Sequence, residues 1–191
     1  AELDQYLPEL RPPLEAQLID LADEVAYNAA DLEDAGEAGL VQPDLIAASV
    51  PAYTEILDTV ETSFPGASVR ECFQEAVRHL MDGLVSGLIE GTVAAARASG
   101  ATDAEAVRRL PTRIARFSEG GAQTSRDVKQ FLHRHVYSSP ELAEDRLRSM
   151  ERLARLFQHL MDHPDLLPGG DSAEAEAKPL HRAVCDYIAG M

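Results

Sequence analysis

The sequence predicts an all-α fold of seven or eight helices. Over most of the chain, apolar residues recur at the three- and four-residue intervals of an amphipathic helix, and no stretch alternates apolar and polar residues as a half-buried strand does. Proline, glycine and capping residues divide this periodicity into segments of helical length. At 191 residues the chain can bury a sizeable core, so residues 1–191 are expected to form a single all-α segment.

The first predicted helix begins after Pro12 and Pro13 and runs from Leu14 to about Ala35, before Gly36. Wound at about 100° per residue, it has an aliphatic face and an opposite acidic face that is bordered by small alanines. An acidic face of this kind suits a divalent cation or a hydroxyl-bearing ligand, and a solvated surface explains the same pattern. The aliphatic face consists of Leu18, Leu21, Val25, Ala29 and Leu32, and the acidic face of Asp20, Asp23, Tyr27, Asp31 and Asp34.

Two short predicted helices follow, and each begins at a proline. Pro43 opens the first and Pro51 the second, because proline suits the first turn of a helix, where its missing N–H is not needed. The second helix ends before the Pro65–Gly66 pair. Together they connect the first helix to the longest helical pattern in the chain.

The longest predicted helix runs from Ser68 to Gly100. Ser68 and Glu71 have the spacing of a capping box, and Gly100 follows the last periodic residue. Three glycines recur in this helix every four residues and therefore lie on one face. Each costs about 1 kcal/mol of helix propensity relative to alanine, so the row predicts a neighbouring helix packed unusually close. The three are Gly83, Gly87 and Gly91.

The next predicted elements are a short helix, a loop and a second helix. Thr102 and Glu105 form another capping-box pattern, and Pro111 ends the short helix. The stretch SEGGAQTS is predicted to be a loop, because glycine, serine and threonine cluster there. Thr124 or Ser125 then caps a helix that carries VKQFLHRHVY.

Two more helices complete the predicted fold. The Ser139–Pro140 pair starts an amphipathic helix that extends to about His163 and ends at Pro164. Residues 168–178 are small and polar and are predicted to be a mobile loop. The last helix begins near Pro179 and carries HRAVCDYIAGM.

The chain carries a net charge of −16, and most of it lies in the first third. Residues 1–66 contain fifteen acidic side chains and one basic side chain, which gives −14 and leaves −2 for residues 67–191. This asymmetry does not indicate nucleic-acid binding. A phosphate-bearing ligand would need a metal ion or local basic side chains, although solvation explains such side chains equally well. The candidates are Arg108, Arg109, Arg113 and Arg116.

The cysteines and the hydropathy pattern favour a cytoplasmic protein. Cys72 and Cys185 lie far apart without a CxxC motif, so neither a disulfide framework nor a zinc knuckle is predicted. No window of about 18 apolar residues is present to span a membrane, and the N-terminus lacks the features of a signal peptide. Because the chain has no initiator methionine, an omitted preceding segment is expected.

The residues alone form no complete catalytic site. The six histidines make neither an HExxH motif nor an adjacent His-Asp pair. His133 and His135 are two residues apart and would point to different faces of a helix, so they cannot chelate a metal together. A nucleophile elbow, a P-loop and a dinucleotide-binding glycine motif are also absent from the sequence.

Three stretches carry a family resemblance. They are LEAQLIDLADEVAYNAADLEDA at 14–35, FSEGGAQTSRDVKQFLHRHVYSSP at 117–140 and HRAVCDYIAGM at 181–191. In order and spacing they resemble the fourth metal-binding element, the lysine and aromatic block, and the near-terminal element of the HD-domain deoxynucleoside triphosphate triphosphohydrolases, the dGTPase-like family. The resemblance implies an HD-domain-like fold and the C-terminal portion of such an enzyme.

The resemblance also implies an activity and three site residues. The family cleaves a dNTP into a deoxynucleoside and inorganic triphosphate, with a metal held by a histidine, a His-Asp pair and a later aspartate. Asp23 matches that aspartate and would bind Mn²⁺ or Mg²⁺. Tyr27 matches the tyrosine beside the sugar and phosphates, and Asp31 matches the aspartate expected to accept the deoxyribose 3′-hydroxyl. Their four-residue spacing puts all three along one side of the helix.

The chain departs from the family pattern in several ways. Glu24 stands where aspartate is common, and Asn28 with the two following alanines stands where a histidine often precedes the matched aspartate. The upstream His…His-Asp half is not in this chain, so no catalytic set is complete and the isolated segment is expected to be inactive. Relatives form oligomers, so the resemblance implies a homo-oligomer.

Two alternatives remain open. A non-catalytic helical module derived from the family would serve only in oligomerisation or regulatory binding, as the missing half and the glycine row would permit. An HD-type phosphodiesterase would act on another phosphoester, although the pair of Tyr27 and Asp31 favours the dNTP site that the resemblance implies.

Overall fold

The computed structural model describes residues 9–167 and 179–191, and every regular element in these two ranges is helical. This confirms the predicted all-α fold. The predicted mobile loop at 168–178 lies outside the described residues. The α-helices are α1 (Leu14–Glu37), α2 (Pro43–Ala47), α3 (Pro51–Ser63), α4 (Val69–Ser99), α5 (Ala104–Arg108), α6 (Glu119–Leu132), α7 (Pro140–Asp162) and α8 (Leu180–Ala189), with a π-helical turn at His133–Tyr137 and a 3₁₀ turn at Pro164–Leu166.

Contacts divide the chain into two compact units, Ala1–Tyr137 and Ser138–Met191. The first unit contains α1 to α6 and the π-helical turn, and the second contains α7, the 3₁₀ turn and α8. That residues 1–191 form a single segment stays a prediction. In the described ranges, no helix is both long enough and apolar enough to cross a membrane.

The central helix of the first unit is α4. It packs against α1, α3 and α6, and α1 also contacts α5 and α6. Most buried side chains of α4 recur at intervals of three or four residues, which is typical of a helix with one core-facing stripe. The core of this unit includes Val25, Leu32, Tyr53, Val60, Phe73, Val77, Leu80, Leu84, Leu88, Val128, Phe131 and Leu132.

The buried face of α1 differs from the predicted aliphatic face. Val25 and Leu32 are buried as expected, whereas Leu18 is only half-buried. Gln17 and Asn28, which are polar, lie on the buried side with the two aliphatic residues. The observed buried face is therefore shifted around the helix from the predicted one, because hydrophobicity alone cannot reveal that Gln17 finds hydrogen-bond partners in the core.

Two helix starts test the predicted capping chemistry. The Ser68 N–H donates to the Glu71 carboxylate at 2.7 Å and the Ser68 hydroxyl accepts from the Glu71 N–H, so the capping box of α4 is confirmed. The predicted cap at Thr102 is wrong. Asp103 caps α5 instead, because its carboxylate accepts from the Ala106 N–H at 2.8 Å.

The prediction of a loop at SEGGAQTS is wrong, because these residues form the cap and first half of α6. Ser118 is the N-cap, in place of Thr124 or Ser125, and its hydroxyl accepts from the Gly121 N–H at 3.4 Å. The glycine has a packing role: a Cβ added to Gly87 of α4 would lie 3.3 Å from the Gly121 Cα. Close helix packing thus overrides the low helix propensity of glycine here.

The glycine row of α4 is closely packed at two of its three positions. A Cβ at Gly91 would lie 2.2 Å from the carbonyl carbon of Phe117 and 2.4 Å from the Ser118 nitrogen. Gly87 approaches α6, whereas a Cβ at Gly83 would meet open space. The prediction of close packing is confirmed for the first two sites and wrong for Gly83. The close neighbour is partly the non-helical segment before α6.

The second unit is built on a helical pair, because α7 packs against α8. The start of α7 matches the prediction: Pro140 occupies the first turn, and the Ser139 hydroxyl accepts from the Leu142 N–H at 3.4 Å. Leu160 on α7 and Val184 on α8 are buried. The predicted final helix is also present in the described residues, as α8.

Candidate functional site

The acidic face of α1 carries the three residues that the sequence predicts for the site. Asp23 and Tyr27 are exposed, Tyr27 by 65%, and Asp31 is half-buried. Because α1 is continuous from Leu14 to Glu37, side chains four residues apart lie along one side of it. The structure therefore brings these three side chains onto one accessible surface of the first unit.

The carboxylates beside Asp23 are paired with basic residues from other elements. Arg113, in the segment before α6, pairs with the Asp20 carboxylate at 2.6 Å. Lys129 of α6 pairs with the Glu24 carboxylate at 2.9 Å. Among the described residues, Asp23 itself has no hydrogen-bond or ion-pair partner. Its oxygens are thus free to bind a ligand, whereas those of its two neighbours are engaged.

Glu24 contacts two residues of α6 at once. Its Oε1 accepts a hydrogen bond from the Ser125 hydroxyl at 3.0 Å, and its Oε2 pairs with the Lys129 ammonium. Ser125 is buried and the Glu24 side chain is 26% exposed, so the carboxylate is fixed at both oxygens. Sequence reasoning missed this contact, because it gave Glu24 no role and assigned Ser125 to a helix cap.

Asp31 is held by a residue that the sequence did not single out. The Tyr137 hydroxyl donates a short hydrogen bond to the Asp31 carboxylate. Tyr137 is the last residue of the π-helical turn that continues α6, a geometry that often marks functional sites. Burial, and secondarily the contact with Asp31, raises the pKa of Tyr137 to about 12. The sequence signal for Tyr137 was its place near the end of the family-like stretch 117–140.

A buried glutamine fixes the segment between α5 and α6. Gln17 of α1 is fully buried, and its side-chain oxygen accepts from the backbone N–H of Ile114 at 2.9 Å and of Ala115 at 3.4 Å. The Thr92 hydroxyl of α4 accepts from the Arg116 N–H at 3.1 Å and donates to the Arg116 carbonyl at 3.2 Å. The segment is therefore anchored to both α1 and α4, and it sets where α6 begins.

Three of the four candidate arginines for phosphate are engaged within the chain. Arg109 pairs with Glu105 at 3.0 Å, and Arg113 pairs with Asp20 of α1. Arg108 donates to a backbone carbonyl at 3.3 Å. Arg116 is exposed, and in the part of the chain that the structure describes its guanidinium has no partner.

A metal ion would need more ligands than this surface offers. Within residues 9–167 and 179–191, no three His, Cys, Asp or Glu side chains are grouped so that they could hold one. The unpaired carboxylate of Asp23 fits a hard divalent cation, but one carboxylate does not fix a metal at useful affinity. The described residues therefore provide no complete metal site, and Asp23 offers a single carboxylate.

A cavity of about 530 Å³ lies near the C-terminal end of α1. Its lining comes from that end of α1, the residues leading into α2 and the start of α4, and includes the Arg70–Glu37 ion pair. Asp23, Tyr27 and Asp31 do not line it. The predicted site is thus an open surface of α1 and is separate from this cavity.

The C-terminal part of this chain is similar to a known domain family. Residues 115–191 match the family described as the phosphohydrolase-associated domain. The matched range begins in the segment held by Gln17 and contains α6 with Lys129 and Tyr137. This part of the chain is accordingly similar to a domain associated with phosphohydrolases, and α1 with its carboxylate surface lies outside the matched range.

Curated relatives match nearly the whole chain and carry a more specific name. A deoxyguanosinetriphosphate triphosphohydrolase-like protein of Geobacter sulfurreducens is 31% identical over 189 residues, which are 99% of this chain and 49% of the relative. Proteins of the same name are 35% identical over 180 residues in a Caulobacter species (93% of this chain, 45% of the relative) and 36% identical over 179 residues in Deinococcus deserti (93% and 46%).

The chain is thus similar to the deoxyguanosinetriphosphate triphosphohydrolase-like proteins, and the resemblance inferred from its sequence is confirmed. The chain spans about half the length of the curated relatives it matches. The matches are consistent with a C-terminal portion of that family.

Proposed function

We propose that the intact protein hydrolyses a deoxynucleoside triphosphate, with dGTP as the reference substrate, to a deoxynucleoside and inorganic triphosphate. In this proposal the present chain supplies Asp23 as one metal ligand, and Tyr27 and Asp31 as substrate contacts. One observation carries the proposal. These three side chains share one side of α1, in a chain similar to triphosphohydrolase-like proteins over at least 93% of its length.

The metal-side part of the proposal rests on Asp23. A bound Mn²⁺ or Mg²⁺ ion supplies Lewis acidity to a phosphoryl oxygen and lowers the pKa of a water ligand. Asp23 offers a hard oxygen ligand without first breaking a contact within the described residues, since its neighbours Asp20 and Glu24 hold the nearby cations. The remaining ligands belong to parts of the protein outside this chain.

The sugar-side part of the proposal rests on Asp31. Its Oδ2 accepts from the Tyr137 hydroxyl, which leaves Oδ1 to accept from a sugar hydroxyl. Because Tyr137 restricts the carboxylate, Asp31 would lose little rotational freedom on binding. The exposed phenol of Tyr27 lies one turn from each aspartate, between the metal side and the sugar side.

The proposed partners follow the family resemblance. The substrate is a dNTP, the intact protein assembles as a homo-oligomer, and neither a membrane nor a nucleic acid is a partner. A cytoplasmic location is supported by the free state of Cys72 and Cys185. Light scattering of the purified intact protein tests the oligomer, and a monomer at micromolar concentration would contradict it.

The non-catalytic alternative loses one of its two supports. The glycine row was a candidate surface for another subunit, but Gly87 and Gly91 pack against α6 and the segment before it in the same chain. The other support is that the upstream half is not in this chain, and only an experiment on the intact protein can test it. A catalytically silent module predicts that Asp23→Ala leaves every activity of that protein unchanged.

The test is product analysis with the intact protein. Incubation with dGTP and Mn²⁺ should release deoxyguanosine and tripolyphosphate in equal amounts, and the isolated chain should release neither. GTP should react more slowly than dGTP if the site is shaped around a 2′-deoxy sugar. Equal rates would favour a phosphodiesterase acting on other esters, and no triphosphate from any dNTP would refute the proposal.

A further inference from the structure

We propose that Glu24 is a positioning residue, which holds the Lys129 ammonium beside Asp23 so that this cation meets a phosphate bound there. The inference rests on the proposed function, because it takes the phosphate to be part of a substrate triphosphate. Glu24 follows Asp23 directly on α1, and Lys129 reaches it from α6 at 2.9 Å. The ion pair therefore places a positive charge on the acidic surface of α1, where Arg113 also pairs with Asp20.

The Ser125 contact distinguishes this ion pair from an ordinary surface salt bridge. An exposed lysine pair is worth only about 0–1 kcal/mol, because both long side chains must be ordered to form it. Here the buried Ser125 hydroxyl already fixes the Glu24 carboxylate at 3.0 Å. Ser125 and Lys129 are one turn apart on α6 and approach the same carboxylate, so only the lysine remains to be ordered.

The electrostatics of α1 give this arrangement a use. A triphosphate approaching Asp23 also approaches Asp20 and Asp31. These carboxylates lie in the first 66 residues of the chain, which carry a net charge of −14. Within the part of the chain that the structure describes, two basic side chains pair with carboxylates near Asp23: Arg113 with Asp20, and Lys129 with Glu24. Arg113 also donates to the carbonyl of Gln17, at 3.2 Å.

Lys129 is better placed to contact an incoming anion. Its side chain is 52% exposed, and among the described residues its ammonium contacts Glu24 alone. An ammonium has three donor hydrogens, so Lys129 can bind a phosphate oxygen while it remains paired. The Glu24 carboxylate would then orient Lys129 and leave some of its ammonium hydrogens available to a phosphate.

The length of the Glu24 side chain is part of the arrangement. Its two oxygens reach two different α6 side chains, and aspartate is one methylene shorter. Glu24→Asp should therefore lose one of the two contacts, whereas Glu24→Gln keeps an oxygen for Ser125 and removes the charge that holds Lys129. Both variants keep a polar group at this part-buried position, so the fold should survive.

The experiment measures binding of inorganic tripolyphosphate to the intact protein by calorimetry, because the two explanations of Glu24 predict opposite signs. If Glu24 acts only as a negative charge near an anion, Glu24→Gln should tighten binding. If it positions Lys129, Glu24→Gln should weaken binding by about threefold to tenfold, approaching Lys129→Gln. The double variant should bind no more weakly than Lys129→Gln alone.

A matched control removes the same charge elsewhere on α1. Glu33 is exposed, and Glu33→Gln should leave binding unchanged or slightly tighter. Tighter or unchanged binding in Glu24→Gln, additive effects in the double variant, or no tripolyphosphate binding by the wild type would overturn the inference. Turnover of dGTP is measured in parallel. Absent turnover with weakened anion binding would refute the proposed function alone, and normal turnover with unweakened binding would refute only the role of Glu24.

Discussion

The Tyr137 hydroxyl donates a hydrogen bond to the Asp31 carboxylate, joining two residues that are 106 positions apart in the sequence. The contact connects the end of the π-helical turn to the C-terminal half of α1. A second contact, between Glu24 and α6, lies two turns earlier on the same helix. The candidate site is therefore defined by the interface between α1 and α6 with its π-helical turn. The helix that carries Asp23 forms only one side of this interface.

The Tyr137 contact predicts a distinctive alkaline titration. The pKa of Tyr137 is raised to about 12, first by burial and then by Asp31, so the fold favours the neutral phenol. Its stabilising contribution is complete below the unfolded pKa of about 10 and is lost as the pH rises through the folded pKa. In an alkaline titration, the wild type should therefore show a phenolate absorbance that Tyr137→Phe lacks, with a midpoint near pH 12. Asp31→Asn should lower that midpoint, and an unchanged midpoint would contradict the contact.

The buried Gln17 predicts a large cost for losing one amide. Gln17→Leu keeps the approximate volume but leaves the N–H groups of Ile114 and Ala115 without their acceptor. Each buried unsatisfied group costs about 1–3 kcal/mol, so the free energy of unfolding should fall by about 2–4 kcal/mol in urea denaturation. Gln130 of α6 is exposed, and Gln130→Leu should change the free energy of unfolding by less than about 0.5 kcal/mol. Equal effects of the two substitutions would refute the role of Gln17.

The glycine row predicts opposite effects at two positions of one helix. Gly91→Ala would push a Cβ into the backbone of Phe117 and Ser118 and should destabilise the fold by about 3 kcal/mol or more. Gly83→Ala meets open space and should stabilise α4 by about 0.5–1 kcal/mol. Thermal unfolding of both variants checks this. A tolerated alanine at Gly91 would mean that the segment before α6 is not held against α4.

Asp31 predicts a specific kinetic defect in the intact protein. Asp31→Asn removes the charge that a sugar hydroxyl would meet, so KM for dGTP should rise by about tenfold, as expected for a hydrogen bond to a charged group. The Mn²⁺ concentration that gives half-maximal rate should stay the same, because Asp23 is two turns away. A shift in the metal requirement with an unchanged KM would reverse the roles assigned to the two aspartates.

The fold could be predicted wherever local signals decide the structure. Proline starts, the Ser68 capping box and Gly100 set the ends of α2, α3 and α4 without reference to the rest of the chain. The start of α6 could not be predicted in this way, because glycine indicates a loop locally. Only the approach of Gly87 to Gly121 explains why glycine is suited to a helix there.

The arrangement of the candidate site residues on α1 could be predicted from the sequence, whereas the contacts of α1 with other segments could not. Helical spacing aligned Asp23, Tyr27 and Asp31, and the family resemblance gave them separate roles. The residues that pair with the other carboxylates of α1 come from about a hundred positions away: Arg113 for Asp20, two α6 residues for Glu24, and Tyr137 for Asp31. Such pairings depend on the packing of α6 and its preceding segment, which periodicity does not encode. Gln17 was missed for the same reason, since its hydrogen-bond partners lie in that segment.

The most direct test of the central claim is the metal dependence of triphosphate release in two variants of the intact protein. The wild type should release tripolyphosphate from dGTP with Mn²⁺. Asp23→Ala should abolish that release, and Asp34→Ala, which removes an exposed carboxylate from the far part of the same helix, should retain it. Full Mn²⁺-dependent activity in Asp23→Ala would contradict the account, because α1 would then supply no ligand to the metal.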